Sequence, residues 1–195
     1  MSAAFDPAAG HEPMELLERA VRLAVRRHQG QLSKGDGEPF ITHPVAVALL
    51  CGRAGLDDAT VAAALLHDVL EDTDTTREEL AAAVGERVAD AVDHVTKAGD
   101  GRPWRDEMRS YVERLRGAPR QALAVAAADK VHNLFRLVRA VEREGPDVER
   151  RFNSTFAERL AAYGDVRDVV RERWPDCPLL PALDRELRRA NETLR

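Results

Sequence analysis

The segment LLHDVLEDTDTT, residues 65–76, continues an apolar run but carries four ionisable side chains within residues 67–72. They are His67, Asp68, Glu71 and Asp72. In a helix these side chains would project from one side, because residues three or four positions apart are neighbours. Three crowded carboxylates repel one another, and burying them without compensation is costly. A solvated charged face would carry Lys or Arg for pairing, but none occurs between Asp57 and Arg77, so the cluster indicates a cation-binding site.

Further ligands for such a cation are expected from two other parts of the chain. His43 opens a predicted helix after the turn ITHP, and Asp129 follows an alanine-rich run in AVAAADKVHNL. Alone, His43 is typical of a helix start, and Asp129 of a core-edge carboxylate paired with an arginine. With His67 and Asp68 they form a set of two imidazoles and two carboxylates. Such a set suits Mn²⁺, Fe²⁺ or Zn²⁺ better than Ca²⁺, and we predict one divalent cation.

The composition is that of a globular protein with acidic net charge. The 195 residues are 44% hydrophobic and 32% charged, and the net charge of −5 argues against a general nucleic-acid binder. No apolar stretch approaches the ~20 residues that span a membrane, and the N-terminus lacks the pattern of a signal peptide. We therefore predict no membrane association. Cys51 and Cys177 form no C-x-x-C pair, which favours a reduced, cytoplasmic location.

Helical periodicity dominates the chain and predicts an all-α fold. We expect a single helical bundle, one domain over residues 1–195, in which residues 1–12 are flexible. The glycine-rich loop over residues 30–42 has room for one short hairpin. No other part of the sequence has the alternation of a strand.

Capping residues and helix breakers mark the ends of the predicted helices. Asp57 or Asp58 is expected to cap a third helix that continues to about Asp72. Further helices are predicted over residues 14–28, from His43-Pro44, from a capping box at Thr76 to Glu79, over about 104–116, and from Pro119 to beyond Arg136.

Several motifs carry a resemblance to a known family. HQGQLSKGDGEPFITHP, ALLHDVLEDT, VTK and AADKVHNL occur in this order, between about residues 14 and 140. The order of histidines and aspartates resembles the HD superfamily of phosphohydrolases. The motifs resemble the hydrolase domain of RelA/SpoT proteins, and the size resembles the stand-alone small alarmone hydrolases. The resemblance implies an all-helical enzyme with one Mn²⁺ that removes the 3′-diphosphate from a nucleotide substrate, (p)ppGpp.

The resemblance also implies roles for individual residues. It places the Mn²⁺ ligands at His43, His67, Asp68 and Asp129. It implies that Glu71 and Asp72 position and deprotonate the attacking water, and that Asn133 contacts the nucleotide. Asn133 lies four positions after Asp129, on the same side of the predicted helix. Four basic residues near the motifs are candidates for binding the diphosphate: Lys34, Lys97, Arg102 and Arg105.

Two departures from the family pattern leave the substrate less specified than the reaction. Ser33 stands where alarmone hydrolases usually have an arginine that can stack on the base, and Ala126 stands where they often have lysine. Hydrolysis of another nucleotide, such as a nucleoside phosphate or NADPH, is therefore an alternative. A silent nucleotide-binding regulator is a third interpretation, but the intact glutamate–aspartate pair argues against it. His132 is interpreted as an ordinary helix residue.

Overall fold

The computed structural model describes residues 12–33, 37–97, 99 and 101–194, and the predicted all-α fold is confirmed. The helices are α1 (Glu12–Arg27), α2 (Thr42–Arg53), α3 (Asp58–Leu66), α4 (Val69–Asp72), α5 (Arg77–Val84), α6 (Glu86–Val95), α7 (Trp104–Leu115), α8 (Arg120–Glu144), α9 (Phe156–Arg173) and α10 (Leu180–Thr193). A short 3₁₀ helix, Pro146–Arg151, joins α8 to α9.

The two ends of the loop between α1 and α2 pair with each other, because the backbone N–H of Ser33 donates to the carbonyl of Glu38 at 2.9 Å and that of Phe40 to the carbonyl of Gln31 at 2.9 Å. A single antiparallel bridge joins Leu32 to Pro39, and it lies in the 30–42 segment where a hairpin had room. The predicted flexible segment, residues 1–12, lies outside the described residues except for its last member, Glu12, which begins α1.

Local capping interactions set several helix starts where the sequence predicts them. Asp57 caps α3, because its carboxylate accepts a hydrogen bond from the backbone N–H of Thr60 at 2.9 Å. Thr76 and Glu79 form the predicted capping box of α5. Between α5 and α6, Gly85 has a φ of 90°, a backbone conformation that other residues rarely adopt.

Two alanine-rich helices form the centre of the core. Residues 122–128 of α8 and residues 62–66 of α3 are all buried, and α8 packs against α2, α3, α6, α9 and α10. Their small side chains let neighbouring helices approach from every side. The residues that follow these runs, Asp129 and His67, are buried as well. The apolar runs therefore place the carboxyl group of Asp129 and the imidazole of His67 in the interior.

The predicted continuous helix from Asp57 or Asp58 to about Asp72 is wrong, because it is interrupted after Leu66. His67 Nδ1 lies 2.8 Å from the carbonyl oxygen of Ala64, the acceptor that the N–H of Asp68 would use in a regular helix. Asp68 has φ −96° and ψ −4°, the bridge region of the backbone map. Asp68 therefore lies outside a regular helix, and its carboxylate comes to lie 3.2 Å from His67 Nε2.

No helix within the described residues combines the length and the hydrophobicity needed to cross a membrane.

Candidate metal centre and adjoining cleft

The four side chains predicted as metal ligands converge in the interior. His43, His67 and Asp129 are buried, and one ligand atom of each lies within 4.8 Å of the others. The Nε2 atoms of His43 and His67 are 3.2 Å apart, and Asp129 Oδ1 lies 3.2 Å from His43 Nε2. Asp68 adjoins them, because its Oδ2 lies 3.2 Å from His67 Nε2 and 3.5 Å from His43 Nε2.

The chemistry and spacing of these atoms fit a divalent cation. Two ligand atoms that each bind a first-row metal at about 2.1 Å lie about 3.0–3.4 Å from one another, close to the separations observed here. Imidazole nitrogens mixed with carboxylate oxygens suit Mn²⁺, Fe²⁺ or Zn²⁺. A histidine–histidine–aspartate site able to hold a divalent metal ion is therefore present.

The carboxylates of Asp68 and Asp129 favour a positive charge between them and His67. Burial disfavours the imidazolium form of His67, but the carboxylates of Asp68 and Asp129 outweigh burial and raise the pKa of His67 to about 9. Either a proton or a metal cation satisfies the two carboxylates.

Lys130 compensates the second oxygen of Asp129. Its Nζ lies 2.5 Å from Asp129 Oδ2 and about 5 Å from the centres of two tyrosine rings, at 5.0 Å for Tyr111 and 5.3 Å for Tyr163. Burial alone would raise the pKa of the Asp129 carboxyl, but Lys130 and the two imidazoles hold this pKa well below its usual range. Asp129 is thereby held as a carboxylate with Oδ1 directed at the histidines.

A third histidine, His132, contacts the His43 ring and fixes its orientation. His43 Nδ1 lies 2.7 Å from His132 Nδ1, and the two rings stack with centroids 5.0 Å apart. Because His43 Nε2 faces the other ligand atoms, we assign the ring hydrogen of His43 to Nδ1, which then donates a hydrogen bond to His132 Nδ1. Burial, His43 and Arg136 lower the pKa of His132 to about 4, so His132 is neutral and can accept. The interpretation of His132 as an ordinary helix residue missed this contact.

Glu71 has a cationic partner that its own segment does not contain. Lys97 Nζ lies 2.5 Å from Glu71 Oε1, and the backbone N–H of Lys97 donates to Glu71 Oε2 at 3.1 Å. The segment around Glu71 contains no Lys or Arg, but Lys97, from a distant part of the chain, balances the charge of Glu71. Lys97, which is predicted to bind substrate, contacts the predicted catalytic residue Glu71.

Asp72 faces an open cleft of about 840 Å³. Partial burial in this cleft and the charges of Asp68 and Glu71 raise the pKa of Asp72 to about 6. Asn133 lines the same cleft, and its amide donates to Asp129 Oδ1 at 2.5 Å. Two of the predicted site residues, Asp72 and Asn133, therefore lie where the cleft meets the metal centre.

The remaining predicted substrate contacts are placed differently. Lys34 lies outside the described residues. Arg102 donates to Ser110 Oγ at 2.9 Å, and Arg105 is an exposed residue that is absent from the cleft lining. Arg136, on the same helix face as Asn133, lines the cleft and donates a hydrogen bond to Ser33 Oγ. A guanidinium from α8 therefore contacts position 33, where the family pattern has its own arginine.

Position 126, the second departure from the family pattern, belongs to the core. Ala126 is fully buried within α8, so its side chain packs against neighbouring helices and does not line the cleft.

The model of the HD domain family matches residues 20–163, a span that includes every residue of the metal centre. The chain belongs to the HD domain family. The matched span contains His43, the His67-Asp68 pair and Asp129, whose order along the sequence resembles this family.

Curated relatives of this HD-domain chain include enzymes of (p)ppGpp metabolism. A protein of Aquifex aeolicus named guanosine-3′,5′-bis(diphosphate) 3′-pyrophosphohydrolase is 45% identical over 97 residues, 50% of this chain and 14% of the relative. The bifunctional (p)ppGpp synthase/hydrolase SpoT of Escherichia coli is 35% identical over 146 residues, 72% of this chain and 20% of the relative. A GTP pyrophosphokinase of Streptomyces coelicolor is 36% identical over 150 residues, 75% of this chain and 17% of the relative.

This HD-domain chain spans only 14–20% of the length of those relatives. Solved structures of similar size share its fold. One, from work on a metazoan ortholog of SpoT that hydrolyses ppGpp, has a TM-score of 0.75 at 24% identity and covers 98% of this chain and 100% of that chain. A Listeria monocytogenes protein has a TM-score of 0.69 at 26% identity and covers 84% and 99%.

Proposed function

We propose that this protein is a metal-dependent phosphohydrolase that removes the 3′-diphosphate of (p)ppGpp-type nucleotides. The observation that supports the proposal most is the convergence of two imidazoles and two carboxylates beside a cleft lined with arginine side chains. Metal ligands next to an anion-binding cleft are the parts that phosphoester hydrolysis needs. The names of the relatives suggest the alarmone substrate.

Mn²⁺ is the cation that we propose, held by His43, His67, Asp68 and Asp129. When bound, it would supply Lewis acidity, which acidifies water and offsets phosphate charge. Fe²⁺ and Zn²⁺ suit the same ligands.

The chain's own residues supply positioning and proton transfer. Asp72 faces the cleft and its raised pKa, about 6, suits a group that accepts a proton near neutral pH. Glu71, one position before Asp72, is held by Lys97 and helps to align the water. Asn133 bonds to Asp129 and faces the cleft, so it can contact the nucleotide beside the reacting phosphate.

A cytoplasmic location stays a prediction. Both cysteines, Cys51 and Cys177, are free and buried, which agrees with a reducing compartment. That residues 1–195 form one domain also stays a prediction.

A substrate comparison tests the proposal. Purified protein with Mn²⁺, and the same protein with a chelator, would be assayed on ppGpp, pppGpp, the adenine counterpart of ppGpp, nucleoside phosphates and NADPH. We expect Mn²⁺-dependent release of pyrophosphate from ppGpp and pppGpp. Because Ser33 supplies no cation of its own, we expect the adenine counterpart to be cleaved as well. Cleavage of NADPH or nucleoside phosphates alone would replace the alarmone assignment with the second interpretation.

Substitution of His132 should weaken metal binding. In His132→Leu, His43 Nδ1 loses the acceptor that fixes its ring, and we expect Mn²⁺ affinity to fall about 10- to 100-fold. In His132→Asn, the amide oxygen can occupy the place of Nδ1 and should restore most of the affinity. Calorimetric titration with Mn²⁺ measures both variants. His94→Leu, on a histidine that contacts Asp90 instead, is the matched control, and equal affinities in all four proteins would contradict the role.

A further inference from the structure

The cleft extends along α8 well past the metal centre. Asn133, Arg136, Ala140 and Arg143 follow Asp129 on one face of α8, and these four residues line the cleft. At a rise of about 1.5 Å per residue, Arg136 lies about 10 Å and Arg143 about 21 Å beyond Asp129 along the helix. The cleft is therefore longer than a reacting phosphate group requires.

The far part of the cleft is strongly cationic. Among its lining residues within the described chain, four arginines face a single carboxylate, Asp72: these are Arg136, Arg139, Arg143 and Arg159. The whole chain has a net charge of −5, so this concentration of positive charge is local. Glu144 offsets part of it, because it accepts a hydrogen bond from Arg143 Nε at 3.0 Å.

The arginines differ in how far their donors are already used. Arg159 is fixed against aromatic rings, 4.4 Å from the centre of Phe152 and 5.0 Å from that of Trp104. Arg136 bonds to Ser33. Arg139 is exposed and forms no hydrogen bond or ion pair with the described part of the chain. Its guanidinium can therefore give all of its donors to a ligand.

A phosphate group explains this arrangement better than a nucleobase does. A neutral base stacks on one guanidinium at most, whereas guanidiniums spaced along one side of the cleft can together contact the several oxygens of a phosphate group. Arginine also matches the geometry of phosphate oxygens with paired donors. Arg139 and Arg143 lie about 15 and 21 Å beyond Asp129 along the helix, so the phosphate they bind is not the one that reacts at the metal centre.

We propose that Arg139 and Arg143, the arginine end of the cleft, bind the 5′-phosphates of the substrate. This inference rests on the proposed function, and it names the substrate class as nucleotides phosphorylated at both the 3′ and the 5′ positions. The metal centre takes the reacting 3′-diphosphate while the arginine end takes the other phosphates. Because the 5′ end does not react, its binding lowers KM more than it raises kcat.

A comparison of two substrates with two proteins isolates this contact. The substrates are ppGpp and guanosine 3′-diphosphate with a free 5′-hydroxyl, and the proteins are the wild type and the double variant Arg139→Gln with Arg143→Gln. In the wild type we expect KM to be about 10- to 100-fold lower for ppGpp, as charged hydrogen bonds imply. The double variant should lose most of this difference with little change in kcat, and should match the wild type on the 5′-hydroxyl substrate.

A control separates local binding from the general loss of charge. The double variant Arg19→Gln with Arg26→Gln removes the same two charges from exposed positions on α1, outside the cleft lining. It should keep the wild-type preference for ppGpp. The inference is overturned if the wild type has equal KM for both substrates, or if the cleft variant loses the same factor on both.

Binding of GDP, measured by calorimetry, distinguishes failure of this inference from failure of the proposed function. GDP carries the 5′-phosphates without the reacting group, so the arginine end should bind it and the cleft variant should bind it about tenfold or more weakly. If no 3′-diphosphate is hydrolysed yet GDP binding depends on Arg139 and Arg143, the proposed function fails and the phosphate site stands. If ppGpp is hydrolysed but the wild type and the cleft variant bind GDP equally well, the phosphate site is wrong and the proposed function stands.

Discussion

Asp68→Asn is expected to lower Mn²⁺ affinity by about a thousandfold and to abolish hydrolysis at micromolar metal. The substitution keeps the shape of the side chain but removes one of two carboxylate charges beside His67 and His43. Two unit charges about 4 Å apart interact by about 4 kcal/mol at the effective dielectric of a protein. A divalent ion in contact with a carboxylate loses at least that much, and every 1.36 kcal/mol is a factor of ten.

Metal content and activity, measured on the same preparation, check this result. Asp93→Asn is the matched control, since Asp93 is an exposed residue of α6 outside the ligand cluster. Raising Mn²⁺ to millimolar concentration should restore part of the activity of Asp68→Asn if the defect is one of affinity. Wild-type metal affinity in Asp68→Asn would remove Asp68 from the ligand set.

Local signals made most helices predictable from the sequence. A side chain that caps a helix bonds within three residues of itself, as Asp57 does with Thr60, so the residue types alone locate the helix start. The break at His67 was not predictable in this way. It depends on which way an imidazole turns, and the turn is decided by partners from α2 and α8.

The convergence of the four proposed metal ligands was predictable because buried histidine and carboxylate side chains at the ends of apolar runs have few other uses. Their supporting contacts were not, since these join distant parts of the chain. Glu71 meets Lys97 across 26 positions, and His43 meets His132 across 89. The i, i+3 spacing of Asp129 and His132 was the available signal for His132, because it placed that ring on the face that carries a ligand.

Asp72→Asn and Glu71→Gln are each expected to lower kcat by about 10²–10⁴ while the protein retains its metal. The reasons differ between the two residues. Asp72 faces the cleft with a pKa raised to about 6, so the amide removes a proton acceptor. Glu71 is bound by Lys97 through both oxygens, so the amide also breaks a partly buried ion pair.

Lys97→Met separates these contributions, because it leaves the Glu71 carboxylate in place but removes the cation that holds it. If Glu71 works through its alignment by Lys97, then Lys97→Met should lower kcat as Glu71→Gln does, and the double variant should lose little more than either single variant. Glu15→Gln, at an exposed position of α1, is the control for the loss of one carboxylate. Single-turnover rates and metal content should be measured together. Unchanged turnover in Glu71→Gln, with a loss in Asp72→Asn, would assign proton transfer to Asp72 and leave Glu71 and Lys97 as a structural pair between α4 and the segment that follows α6.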